Sequence, residues 1–115
     1  MLFLEYPPCT TCKKAKKWLD DNQIVYEARH IKENKPTYEE LKDWYRRSGL
    51  PLKKFFNTSG LLYKSMNLKE KLPAMTEEEQ LQLLASDGML VKRPIAVKGD
   101  LVLTGFKAAD WEKLK

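Results

Sequence analysis

The apolar pattern of this 115-residue chain opens on Leu2-Phe3-Leu4, a run that predicts a buried strand over Met1 to Tyr6. Pro7-Pro8 ends it, since neither a central strand nor a helix interior accepts two prolines. The period then changes. Cys12, Ala15, Trp18, Leu19 and Asn22 recur three and four apart, which predicts a helix from Thr10 to about Asn22 with Ala15, Trp18 and Leu19 inward. Tyr26 to Ile31 alternates as a second strand would. A helix between two such strands predicts a βαβ unit with parallel pairing.

From Pro36 the pattern is helical. Thr37 with Glu40 three residues on forms a capping box, and Leu41, Trp44, Tyr45 and Ser48 trace one face before Gly49 and Pro51 close the helix. Leu52 to Phe56 is apolar but broken by Lys53-Lys54, which leaves its conformation open. Asn57-Thr58-Ser59-Gly60 marks a turn or helix start, with a short helix over Leu61 to Met66. Thr76 and Glu79 repeat the capping box, with Leu81, Leu84 and Ala85 apolar and Asp87-Gly88 as the stop. Strand character returns at Ile95-Ala96-Val97 and Leu101-Val102-Leu103 around a Lys98-Gly99-Asp100 turn. A final helix over Phe106 to Lys115 offers Ala108, Trp111 and Leu114 for packing. The predicted architecture is α/β: a β-α-β half and a β-β-α half separated by an all-helical insertion at about 36–88, within one domain over 1–115.

Composition narrows the function classes. At 43% apolar and 32% charged, the chain is an ordinary globular mixture and long enough to bury a core. No apolar run reaches the ~20 residues of a membrane span, and Glu5 interrupts the first apolar stretch, unlike a signal peptide. The chain reads as cytoplasmic, with no membrane partner. The net charge of +5 includes Lys13, Lys14, Lys16 and Lys17 within five positions. Such a run is either a solvated helix face or a positive field drawing anionic substrates to a nearby site. Basic residues are otherwise spread along the chain without a nucleic-acid-binding signature, so direct DNA binding is not expected.

The only two cysteines, Cys9 and Cys12, stand three apart where a strand turns into a helix. In a cytosolic chain this spacing points to redox or metal chemistry. With His30 they make three ligands, one short of a structural zinc set, so no metal is expected. Unpaired N–H groups at a helix start favour thiolate, the reactive form. Cys9, ahead of the first turn, is the candidate nucleophile, and Cys12, one turn inside, the candidate resolving thiol. The bland alternative is a pair of small core cysteines. Thr10 and Thr11 offer N–H groups for an oxyanion. Arg93-Pro94 reads either as an ordinary strand opening or as a cis peptide facing the thiols, with Arg93 on an anion. Asn57, Thr58 and Ser59 suit ligand hydrogen bonds or a helix cap. His30, alone on its strand, reads as structural.

Taken together, Cys9-Thr10-Thr11-Cys12-Lys13-Lys14-Ala15, Asn57-Thr58-Ser59-Gly60 and Lys92-Arg93-Pro94-Ile95 resemble the arsenate reductase (glutaredoxin-type)/Spx family across nearly the whole chain. The resemblance implies a thioredoxin-like fold with a helical insertion, Pro94 as a cis-proline and Arg93 as the anion-binding arginine. Four places depart from the glutathione-dependent reductases of the family. Cys12 fills a position that is not cysteine there, Glu5 stands where they carry histidine, and Asn57 and Thr104-Gly105-Phe106 occupy the regions of two further arginines. The expected function is a thiol-disulfide oxidoreductase acting on a small anionic or disulfide substrate held by Thr10, Thr11, Asn57, Arg93 and Pro94. It holds no bound cofactor and uses glutathione or thioredoxin as reductant, with thioredoxin or glutaredoxin as partner. The alternative is an Spx-like redox-switched regulator that binds RNA polymerase.

Overall fold

The computed structural model describes all residues from Met1 to Lys115. Strand β1 (Leu2–Glu5) lies at the centre of a four-stranded sheet with β2 (Glu27–His30), β3 (Ile95–Lys98) and β4 (Leu101–Thr104) in the order β2-β1-β3-β4. β1 runs parallel to β2 and antiparallel to β3, and β3 and β4 form a hairpin. This is a mixed α/β sheet, as the alternation of periods predicted, with the thioredoxin-like topology that the family resemblance implied. The strands and first helix end within one or two residues of their expected limits. The short pattern ends are frayed by the neighbouring turns.

Helix α1 (Thr10–Asp21) and α6 (Ala108–Trp111) cover one face of the sheet. There Phe3, Ala15, Leu19, Ala96, Trp111 and Leu114 form a buried cluster. Trp18 is half-buried against it rather than fully inward, and Ala108, expected to pack, is exposed. The last helix is the reason: α6 is only four residues long and continues as a 3-10 turn over Glu112–Leu114, so Ala108 is left on its outer side.

The opposite face carries α2 (Tyr38–Ser48), α3 (Leu61–Ser65), α4 (Leu68–Lys71) and α5 (Glu77–Ser86), with 3-10 turns at Leu52–Phe55 and Gly88–Leu90. Both predicted capping boxes form. The Thr37 and Thr76 hydroxyls accept from the Glu40 and Glu79 amides, and each glutamate accepts from its threonine's amide. Gly49 ends α2 at φ 67°, a conformation that costs other residues energy. α4 was not anticipated, because its Leu68-Lys69-Glu70-Lys71 is too short to show a period. Leu52 to Phe56 resolves as a 3-10 turn that buries Leu52 and Phe55 while its two lysines stay exposed.

The helical block is tied to the sheet close to the Arg93 loop. Phe56 and Val91 form an isolated antiparallel bridge, flanked by Asn57 N–H to Leu90 O and Lys92 N–H to Phe55 O, both 2.8 Å. Gly88 sits so near Ile31 that an added Cβ would lie 1.9 Å from its carbonyl oxygen. No helix is long and apolar enough to cross a membrane.

Candidate active site

Cys9 is the N-cap of α1, in extended backbone (φ −72°, ψ 125°), and Thr10 opens the helix. The turn before it is closed by Cys9 N–H donating to Tyr6 O at 2.8 Å, with Pro7 at the second turn position, where its fixed φ fits. Cys9 is partly accessible and Cys12 fully buried, and both are free thiols.

Their environments pull them apart. At Cys9, partial burial favours the neutral thiol, but it is outweighed by the polar groups close to the sulfur: the Cys12 N–H and thiol, the Arg93 guanidinium and the Thr11 N–H. The net effect holds its pKa below the ordinary 9.0. At Cys12, burial pushes the thiol up to about 12 against the opposing pull of the Tyr6 backbone, with the adjacent Cys9 adding to the rise and the Arg93 charge taking a little from it. One sulfur is therefore prepared as thiolate and the other holds its proton.

Arg93 reaches this point from the far half of the chain. Its peptide bond to Pro94 is cis, and its guanidinium lies 4.9 Å from the centre of the Tyr6 ring. Its Nε and Nη1 are buried without a hydrogen-bond partner. A buried cationic donor left unpaired costs more than the ~1–3 kcal/mol of a neutral one, and two such donors face the thiol side of the molecule unpaired.

The predicted site residues do not all meet. Cys9, Thr11, Asn57 and Arg93 line one groove of about 940 Å³, whereas Thr10 is exposed and lies outside it. Pro94 is buried behind Arg93 and shapes the loop rather than the groove wall. Thr11 lines the groove with its N–H near the Cys9 sulfur. Asn57 is nearly buried and takes a weak hydrogen bond from the Ser59 hydroxyl at 3.4 Å. The four lysines of α1 do not act on Cys9. Lys13 and Lys14 are exposed, Lys16 pairs with Glu5 and Lys17 with Asp21. His30 is structural, its Nδ1 accepting from the Lys32 and Glu33 amides.

Sequence reasoning missed Tyr6 and the groove lysines Lys53, Lys54, Lys92 and Lys107. The Lys53-Lys54 interruption of an apolar run was the visible signal. Nothing in the pattern marks Lys92 or Lys107, which reach the groove only through the hairpin and the Phe56–Val91 bridge.

A thioredoxin-like sheet with a Cys-x-x-Cys at the start of its first helix and an arginine before a cis-proline defines the class of thiol-oxidoreductase folds. The chain belongs to the ArsC family, whose profile matches residues 4–114. It is 55% identical to the uncharacterized protein YusI of Bacillus subtilis, over 98% of this chain and 96% of that protein. It is also 33% identical to Regulatory protein MgsR of Bacillus subtilis, over 99% and 89%. Among solved structures, a Bacteroides fragilis protein described as related to the ArsC family superposes with a TM-score of 0.97 at 61% identity, covering 99% of this chain and 96% of that one. A possible arsenate reductase from Streptococcus mutans follows at 0.90 and 47%, covering 98% and 95%.

Proposed function

We propose that this protein is a dithiol oxidoreductase that reduces an anionic disulfide substrate, with Cys9 as nucleophile, Cys12 as resolving thiol and Arg93 as the anion clamp. The observation that carries the reading is the split between the two sulfurs, one lowered and one raised, beneath an arginine with two unpaired buried nitrogens. The Cys9 thiolate attacks a substrate sulfur, the substrate S–S bond breaks, and the departing thiolate takes a proton from water. Cys12 then gives up its proton to solvent and attacks the Cys9 sulfur of the mixed disulfide. The Cys9–Cys12 bond forms and the second substrate thiol leaves. Two electrons pass from the protein dithiol to the substrate, and glutathione or thioredoxin returns them. Asn57, neutral where related reductases carry an arginine, leaves Arg93 as the arginine at the thiol, with the groove lysines further out.

The test is turnover of oxidised glutathione coupled to a thioredoxin regeneration system, and of arsenate coupled to a glutathione or thioredoxin regeneration system. Disulfide turnover that vanishes in Cys9→Ser supports the reading; a serine variant that keeps full turnover refutes it. A second reading, a redox-switched regulator that contacts RNA polymerase, draws support from the 33% identity to MgsR. Recovery of polymerase subunits by the oxidised but not the reduced protein, without turnover, would favour it.

A further inference from the structure

The groove that begins at Cys9 is larger than the thiol chemistry by itself needs. Its volume of about 940 Å³ stands at the upper end of small-ligand sites, roughly 300–1,000 Å³. A single oxyanion, or the disulfide of a lone amino acid, would leave most of it empty. Its apolar lining comes from two distant parts of the chain, Leu50, Pro51 and Phe56 after α2, and Leu103 and Phe106 at and beyond β4. Such walls suit an uncharged arm that links a reacting sulfur to something further along.

The charge says what that is. Six basic side chains line the groove, Lys53, Lys54, Lys92, Arg93, Lys107 and Lys113, against the one carboxylate of Asp110. The five ion pairs of the molecule use none of these seven residues, so the positive charge is uncompensated. Lys53 and Lys54 come from the helical block, and Lys107 and Lys113 from either side of α6 on the opposite face of the sheet. Lys92 and Arg93 stand at the thiol end. The Lys92 stem lies over Gly105, where an added Cβ would be 3.1 Å from its Cε, and Arg93 keeps two buried nitrogens unpaired. A cleft lined by one sign of charge focuses the field and concentrates anions. Lysines are point charges that meet phosphate oxygens from any direction. An acidic protein segment is served less well, because Val102 is only 3% exposed and β4 offers no open backbone edge to pair with.

We infer that the groove binds a low-molecular-weight thiol carrying phosphate groups at the end of an uncharged arm, and that the disulfide of such a thiol is a substrate of Cys9. The chemistry rests on the dithiol reading, and the binding does not. The Cys9 thiolate attacks the sulfur of the half held in the groove, the substrate S–S bond breaks, and the other half departs as a thiolate that takes a proton from water. Cys12 loses its proton to solvent and attacks the Cys9 sulfur. The Cys9–Cys12 bond forms and the phosphate-bearing thiol leaves. One substrate disulfide becomes two thiols, the protein dithiol is oxidised by two electrons, and thioredoxin returns them.

The test compares coenzyme A disulfide with pantethine, which has the same reacting arm and lacks the phosphates. Each is coupled to a thioredoxin regeneration system, with the rate in the absence of the protein subtracted. Coenzyme A disulfide should have the higher kcat/KM by about tenfold or more, carried by KM, and salt at about 0.5 M should erase most of the difference. Lys53→Gln with Lys107→Gln should bring the two substrates within about threefold of each other. Lys32→Gln with Lys69→Gln, which removes the same charge outside the groove, should keep the preference. Equal turnover of the two disulfides by the native protein, or an equal loss of preference in both double variants, overturns the inference. Binding of S-methyl coenzyme A, read by calorimetry beside S-methyl pantetheine, separates the site from the dithiol reading. Phosphate-dependent binding without turnover of any disulfide, oxidised glutathione included, keeps the site and removes the chemistry. Turnover of oxidised glutathione or pantethine without a phosphate preference keeps the chemistry and removes the site, and neither binding nor turnover removes both.

Discussion

On one face of the sheet, 16 buried residues from Leu4 to Val102 join the strands to the helical block, while the other face buries only six under α1 and α6. The thin side carries the thiols, because α1 begins at the sheet's rim and its N-cap, Cys9, stays within reach of solvent. The thick side carries no reactive group, yet it holds the Phe55–Asn57 turn, the Phe56–Val91 bridge and so the approach to Arg93. The nucleophile comes from the lightly packed half and its arginine is placed with help from the heavily packed one. Chemistry and stability should therefore fail separately when each side is disturbed.

The largest effect expected on the thin side is Cys9→Ser, which should remove disulfide turnover by several orders of magnitude with an unchanged melting curve. On the thick side, Phe55→Ala should cost about 3–5 kcal/mol in denaturant unfolding and leave the Cys9 alkylation profile of the folded protein in place. A shifted profile in that variant would show that the two sides are not separable. Gly88→Ala, which drives a Cβ into the Ile31 carbonyl, should cost about 3 kcal/mol.

The Arg93→Ala variant addresses the join between the sides. Cys9 alkylation should rise with pH to a midpoint below 9.0 in the native protein, and the midpoint should move upward when the guanidinium is gone. Cys12 gives the opposite sign. Its raised thiol favours the fold fully below the unfolded value of 9.0, and that contribution declines as pH rises toward about 12. Urea unfolding of a Cys9→Ser protein between pH 8 and pH 11 should show it. The smallest effect is Thr37→Ala, which removes one half of a capping box at about 1 kcal/mol and should leave both chemistry and the sheet intact.

Local chemistry made much of this molecule legible before any coordinates. The strand-helix-strand start, both capping boxes, the Gly49 stop and the β3–β4 hairpin all follow from period, caps and turn residues within short windows. The Cys9–Cys12 spacing at a helix entrance belongs to the same kind of information. What needed the fold was whatever depends on distant segments meeting. Four lysines next to Cys12 in sequence offered a positive field for an anion near the thiols, yet a helix turns them outward, and the charge beside Cys9 is Arg93, from the far half of the chain. Ala108 looked inward until the last helix proved a single turn long.

By itself, then, the sequence determined the elements, the two-half plan and the pair of thiols, because these rest on interactions between residues a few positions apart. Only the tertiary structure decided how deeply each thiol is buried, and that a half-buried arginine with two buried, unpaired nitrogens and a row of lysines stand beside Cys9. Burial and charge proximity across the fold set those properties, and neither is written in local spacing.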